Sequence, residues 1–425
     1  MPQIAAKPLV GLDVSSGSAS RPSYTPALVV LTTLFFTWGL ITSLNDILIP
    51  HFKAGFTLNY VQAMLVQLCF FSAYFVASIP SGVLVQRIGY RYGIIVGLGI
   101  AGVGCLGFYP AASAASYALF LVSLFVLACG ITLLQVAANP AVTVLGDPQT
   151  AASRLNLTQA FNSLGTTIGP ALGSSLILAA EPSAGGGAAH ELKSVQGPYL
   201  ALAALLFLTA FMFSRFRLPA LGSEADAQQA AAAGEARGSL AKQSHLMLGV
   251  VAIFLYVGAE VAIGSFLVNF MAQPEIAGLS EQNAGHYLSL YWGGAMVGRF
   301  IGSAAMRKIK PGHLLAFNAA MVVLLLLITM TVSGPVAMWS ALAIGLFNSI
   351  MFPTIFTLAI DRLGRHTSTG SGWLCTAIVG GAIVPVIMGF VADRVGLQLS
   401  FIVPAVCYAY IVHYGLAGHV IHARS

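Results

Sequence analysis

The chain has 425 residues, 57% of them hydrophobic and 8% charged, whereas an ordinary soluble domain is about 25% charged. This excludes a soluble globular protein, and apolar runs near 20 residues in length, rather than short alternating strands, exclude a β-barrel. The formal charge of +6 lies in the segments between runs rather than in one patch, so it speaks of membrane topology and not of a nucleic-acid partner.

Residues 1–25 are polar and rich in Ser, Ala and Pro. They read as a disordered cytoplasmic tail, and the apolar run that follows is too long for a signal-peptide core. Twelve apolar runs then follow, near 27–51, 61–85, 92–112, 115–139, 153–180, 198–216, 246–271, 283–306, 313–333, 335–359, 370–392 and 398–421. The expected fold is an all-α membrane protein of twelve transmembrane helices in two six-helix bundles, 26–217 and 245–425. A polar cytoplasmic linker, 218–244, joins them.

Fifteen of the 19 Lys and Arg residues fall in the segments that this topology places on one side. The excess marks that side as cytoplasmic, with both termini on it. The implied location is a bacterial inner membrane, crossed many times. Cys69, Cys105, Cys129, Cys375 and Cys407 all lie in apolar runs and fit packing better than a disulfide framework or a metal site.

The first run carries Trp38, Thr42, Asn45 and Asp46 at helical spacing, so a ring, a hydroxyl and a polar pair share one face. A carboxylate at that depth is costly unless it meets a partner or a watery cavity. Aromatic rings stack on the apolar face of a pyranose while amides and carboxylates bond its hydroxyls, and packing is the alternative for Trp38. In the fourth run Gln135 and Asn139 stand one turn apart, and in the fifth Asn156, Gln159 and Asn162 follow at intervals of three. Such amides line either a helix contact or a cavity.

Glu260, in the seventh run, is the second carboxylate well inside a span; Tyr256 stands one turn before it and Asn269 beyond it. Tyr291, Trp292, Asn348 and Trp373 are further candidates from the second half. Arg299, beside Gly298 and Gly302, is expected near the inner end of its span, snorkelling to the cytoplasmic face or acting in a gate. Gly82, Arg87, Gly89 and Arg91 form a Gly-x4-Arg-x-Gly-x-Arg loop with Arg307 as the counterpart of Arg87 in the second half. These residues are candidates for conformational gating.

Weak internal similarity supports two parallel repeats. Residues 81–87 match 301–307 in Gly and Arg, Gly165 and Pro170 recur as Gly380 and Pro385, and Gly130 recurs as Gly345.

As a set, these motifs resemble the fucose/glucose/galactose cation-symporter branch of the major facilitator superfamily. They are the loop at Gly82 with Gln86 where an acid is usual, Trp38-Gly39 with Asn45-Asp46, Gln135 to Pro140, Leu155 to Gly165, Tyr256 to Glu260 and Gly380 to Pro385. The resemblance implies import of a monosaccharide with a cation and makes Asp46 the coupling aspartate, with Asn45 and Thr42 beside it. Sodium and proton both remain open, so a sodium site at Asp46 is one expectation. Gln135 stands where fucose-transporting relatives carry a second acid and Glu260 looks like the glucose/galactose members, which shifts the expected hexose to glucose or galactose.

The remaining implied contacts are the lipid bilayer and no nucleic acid; the protein is expected to act as a monomer without a cofactor. Proton-coupled efflux of a drug or metabolite is the alternative, disfavoured because amides outnumber aromatic contacts. A receptor lacks a soluble signalling domain here. An enzyme lacks a nucleophile-base-acid set.

Overall fold

The computed structural model describes residues 24–56, 60–177, 196–215 and 240–421. Among them there is no strand, as expected where lipid offers no partner for a backbone N–H or C=O and each segment must bond within itself. The linker up to residue 239 and most of the expected tail lie outside the described residues.

The first set of helices is α1 (Thr25–Phe56), α2 (Tyr60–Ser113), α3 (Tyr117–Val144), α4 (Ala151–Ile177) and α5 (Gln196–Arg215). The second begins with α6 (Ser244–Ala272), α7 (Glu281–Ala305) and α8 (Pro311–Thr331). It continues with α9 (Pro335–Asn348), α10 (Met351–Ala359), α11 (Thr367–Thr376) and α12 (Gly380–Val395), and ends with α13 (Leu397–Ser400) and α14 (Ile402–His413).

Sequence and structure differ in how the runs are divided. At 54 residues, α2 would be about 80 Å long if straight, far beyond a hydrocarbon layer of about 30 Å. It turns at Gly89, with φ 80° and ψ 163°, a left-handed conformation that glycine adopts without a Cβ clash. The expected loop is thus a one-residue corner. The run at 335–359 is broken between α9 and α10, and that at 370–392 between α11 and α12.

Nine helical stretches among the described residues are long and apolar enough to cross a membrane, and neither α4 nor α7 is one of them. The sequence accounts for both. Asn156, Thr158, Gln159, Asn162, Ser163, Thr166 and Thr167 dilute α4, while Asn283, His286, Ser289 and Arg299 dilute α7. These two helices pack against each other, first set against second.

The repeated glycines serve the same purpose in both sets. On the α1–α4 contact, a Cβ on Gly39 would collide with the Asn162 carbonyl and one on Gly165 with the Phe36 carbonyl. On the α6–α12 contact, a Cβ on Gly380 would collide with the Phe254 carbonyl and one on Gly258 with Val384. Small residues let membrane helices approach until their backbones touch, where dispersion is densest.

The two sets also meet along two seams at one end of the molecule, called the closed end below. On the α2–α11 seam, Gly82 lies against the Ser368 carbonyl and Gly372. Gln86 Nε2 donates to the Arg365 carbonyl at 3.0 Å and its Oε1 accepts from Thr369 at 3.1 Å. On the α4–α7 seam, Ser153 Oγ donates to the Ser303 carbonyl at 2.7 Å, and Ser303 Oγ returns the bond to the Ser153 carbonyl at 2.8 Å. Nearby, Asn156 Nδ2 donates to Thr354 Oγ1 at 3.2 Å and Ser371 Oγ to the Val136 carbonyl at 3.0 Å.

Candidate functional site

Farther from the closed end, polar side chains of α6, α7 and α9 meet, and Arg299 of α7 links them to α4. Tyr256 and Glu260, four apart on α6, share a face, and the Tyr256 hydroxyl donates to Glu260 Oε1 at 2.8 Å. That hydroxyl is also 3.1 Å from the Asn348 carbonyl. Asn348 Nδ2 donates to the Tyr291 hydroxyl at 2.7 Å, joining α9 to α7. Asn348, Tyr256 and Tyr291 are fully buried, and Glu260 is half-buried. The carboxylate therefore stands on a rigid, aromatic-backed amide frame with one oxygen held.

Arg299 departs from the sequence expectation. Instead of snorkelling, its Nε donates to the Ser349 carbonyl at 2.9 Å and its Nη1 reaches Ser163 Oγ on α4. The α9–α10 break explains the first bond, because it leaves Ser349 free of a helical partner, and Gly298 brings α7 close enough to reach it. The guanidinium thus spans both sets.

The first set contributes amides. Gln135 and Asn139 are buried on α3, and Gln159 Nε2 donates to Asn139 Oδ1 at 3.3 Å, while Asn139 Nδ2 has no partner within the protein. A buried donor left unpaired is expensive, and Asn139 is fully buried in this conformation. Asn162 is spent differently: its Nδ2 donates to the Phe35 carbonyl at 2.9 Å and fastens α4 to α1. Asn156 belongs to the α4–α7 seam.

Other candidates are placed away from the frame. Trp38, 9% exposed, packs its ring 5.4 Å from Phe35. Thr42 Oγ1 bonds back to the carbonyls of Trp38 and Gly39, 3.0 Å each. Trp373 packs against the apolar core and Asn269 is exposed near the end of α6. Asn45 and Asp46 lie on α1, and their side chains are outside the described residues.

Among the gating candidates, Gly82 is at a seam. Arg87 and Arg307 are exposed, and Arg91 Nη2 bonds the Ser214 carbonyl within the first set. Contact across the α2–α11 seam is made by Gln86, which sequence reasoning noticed only as a departure from an acid. Its position inside the loop signature was the available signal.

A polytopic helical membrane protein with two sets of helices closed at one end over a shared polar centre is thereby defined. The chain belongs to the Major Facilitator Superfamily, whose family model matches residues 28–378. It is 58% identical over 401 residues to a glucose/galactose transporter of Brucella abortus biovar 1 (strain 9-941), covering 94% of this chain and 96% of the relative. It is 37% identical to the L-fucose-proton symporter of Escherichia coli (strain K12), covering 94% of each. Among solved structures, it is similar to the crystal structure of the transporter FucP in the outward conformation. The TM-score is 0.84 and the identity 36%, over 92% of this chain and 98% of that one. These relatives are transporters by name, not enzymes.

Proposed function

We propose that the protein imports glucose or galactose together with a proton by alternating access. The observation that carries this reading is the frame around Glu260: an ionisable group held by Tyr256 beside the Asn348 amide, whose Oδ1 has no partner within the protein. Few polar groups converging in an apolar surround suit a small polyol. The relatives' names supply the sugar class, and the fucose-proton symporter supplies the ion. The same names favour sugar import over drug efflux.

The membrane arrangement proposed is twelve passes in two bundles, 26–217 and 245–425, with both termini and the linker cytoplasmic. Counting the two arms of α2 separately, joining α9 with α10, and adding α4 and α7 to the apolar stretches supports twelve. The basic residues on one side support the orientation. The closed end is then cytoplasmic and the conformation outward-facing, and a bacterial inner membrane is the setting.

In the proposed mechanism a proton neutralises Asp46, and closure around the sugar no longer buries a bare charge. Sugar held by Glu260, Asn139 and Gln159 and the proton at Asp46 then raise each other's affinity, with a coupling of about 1 to 3 kcal/mol. Reconstitution into liposomes tests this. Glucose or galactose should acidify the lumen in sodium-free medium, and an Asp46→Asn protein should lose that acidification and concentrative uptake while retaining sugar counterflow. Sugar-driven sodium entry without acidification, or ethidium extrusion without sugar uptake, would overturn it.

A further inference from the structure

Spacing along α7 sorts its faces. Gly294 and Gly298 lie against Leu346 of α9, while Met296 and Phe300 meet Thr167 and Phe161 of α4. Val297 and Ile301 are exposed on the opposite side, the direction of lipid. Trp292 lies seven residues before Arg299, two turns along the same face. That face falls between the α4 and α9 contacts and looks into the space between the two sets. Trp292, 45% exposed, thus stands on the face away from the lipid-directed Val297 and Ile301.

The indole is fixed in place rather than free to turn. Tyr291, itself anchored by Asn348, meets it edge-on at 5.0 Å between ring centroids and 86° between planes. Across from α7, the outer carbon Cζ2 is 3.2 Å from where a Cβ on Gly264 would lie. Gly264 is one turn beyond Glu260 on the same face of α6, about 6 Å along the axis. Its missing side chain leaves the gap that the ring edge occupies. The result is a rigid apolar ring one turn from a carboxylate, on the side away from the closed end.

We propose that Trp292 is the stacking platform of the transported sugar, with Gly264 the gap that seats it. This rests on the hexose reading above and narrows it. The C–H face of a pyranose lies on the indole while its edge hydroxyls reach Glu260 and the amides, so the substrate class is an aldopyranose with a continuous C–H face. Open-chain hexitols, which offer similar hydroxyls but no ring face, are excluded. An aromatic platform gives contact area at low entropic cost because it has two side-chain torsions to hold.

The test uses the full chain in liposomes and in detergent. Trp292→Ala should raise the KM for galactose and glucose about tenfold, the order an aromatic face contributes to a stacked ring. The kcat should stay within about threefold, since the ring takes no part in the proton path. Trp292→Phe should recover most of the affinity. Galactose should quench tryptophan emission in the wild type and much less in Trp292→Phe, and galactitol should do neither. Gly264→Leu, which displaces the ring without removing it, should mimic Trp292→Ala.

A Trp292→Ala protein with unchanged KM, equal quenching in Trp292→Phe, or galactitol competing as well as galactose would each overturn the platform. If Trp292→Ala does not fold, the Phe variant and the quenching decide. Failure of the wild type to take up any hexose would instead overturn the functional reading.

Discussion

At the scale of single residues, the site is built on the rule that a polar group in a membrane must find a partner. Tyr256 holds one oxygen of Glu260 and Asn348 braces both tyrosines, so the carboxylate is aimed before any ligand arrives. Exchanging Glu260 for Gln keeps the shape and the Tyr256 bond but removes the charge-assisted acceptor for a sugar hydroxyl, worth about 1.5 to 3 kcal/mol. The expected outcome of Glu260→Gln is a rise of at least about tenfold in the Kd for galactose. Titration of the solubilised protein by tryptophan fluorescence checks it, and an unchanged Kd would remove Glu260 from the site.

At the scale of elements, the seams at the closed end decide which conformation is held. The Ser153–Ser303 pair is reciprocal, each hydroxyl donating to the other's carbonyl, and the two hydroxyls stand 3.3 Å apart, so removal of one disturbs the bond that the other makes. A double-mutant cycle should show coupling of about 0.5 to 1 kcal/mol between Ser153→Ala and Ser303→Ala, read from thermal unfolding in detergent. Strict additivity would mean that the two bonds act separately.

The elements also show how far the sequence could be read. The apolar runs, the carboxylates and the amide stripes announce themselves, because their cost in lipid makes them stand out against an apolar background. Gly165 and Gly380 were visible as a repeat, whereas Gly39 and Gly258, which face them across two equivalent helix contacts, were not paired. The break after Asn348 had a signal that the reading passed over: Pro353 has no N–H to offer the Ser349 carbonyl four residues earlier, and that vacant carbonyl is the one Arg299 takes. Trp292 was one aromatic among many until the faces of α7 were sorted by their neighbours.

At the scale of the whole molecule, coupling to a proton makes sugar affinity a function of pH. If the sugar-bound form holds a proton that the free form lacks, acid favours binding, and affinity is lost as the pH rises. Galactose Kd should therefore increase from pH 6 to pH 9 in wild type and stay flat in Asp46→Asn, measured by calorimetry in two buffers of different ionisation enthalpy. A wild-type Kd independent of pH would separate sugar binding from the proton.

The polar character of α4 and α7 has a consequence for biogenesis. A helix carrying several amides, or an arginine within its span, is a poor substrate for the translocon by itself. Each is rescued by an earlier neighbour: α1 accepts α4 through Asn162 and the paired glycines, and α4, once seated, offers Ser163 to Arg299 of α7. Order of synthesis and order of assembly are thus linked, because the polar groups that make α4 and α7 poor spans are the ones that dock each helix onto an earlier one.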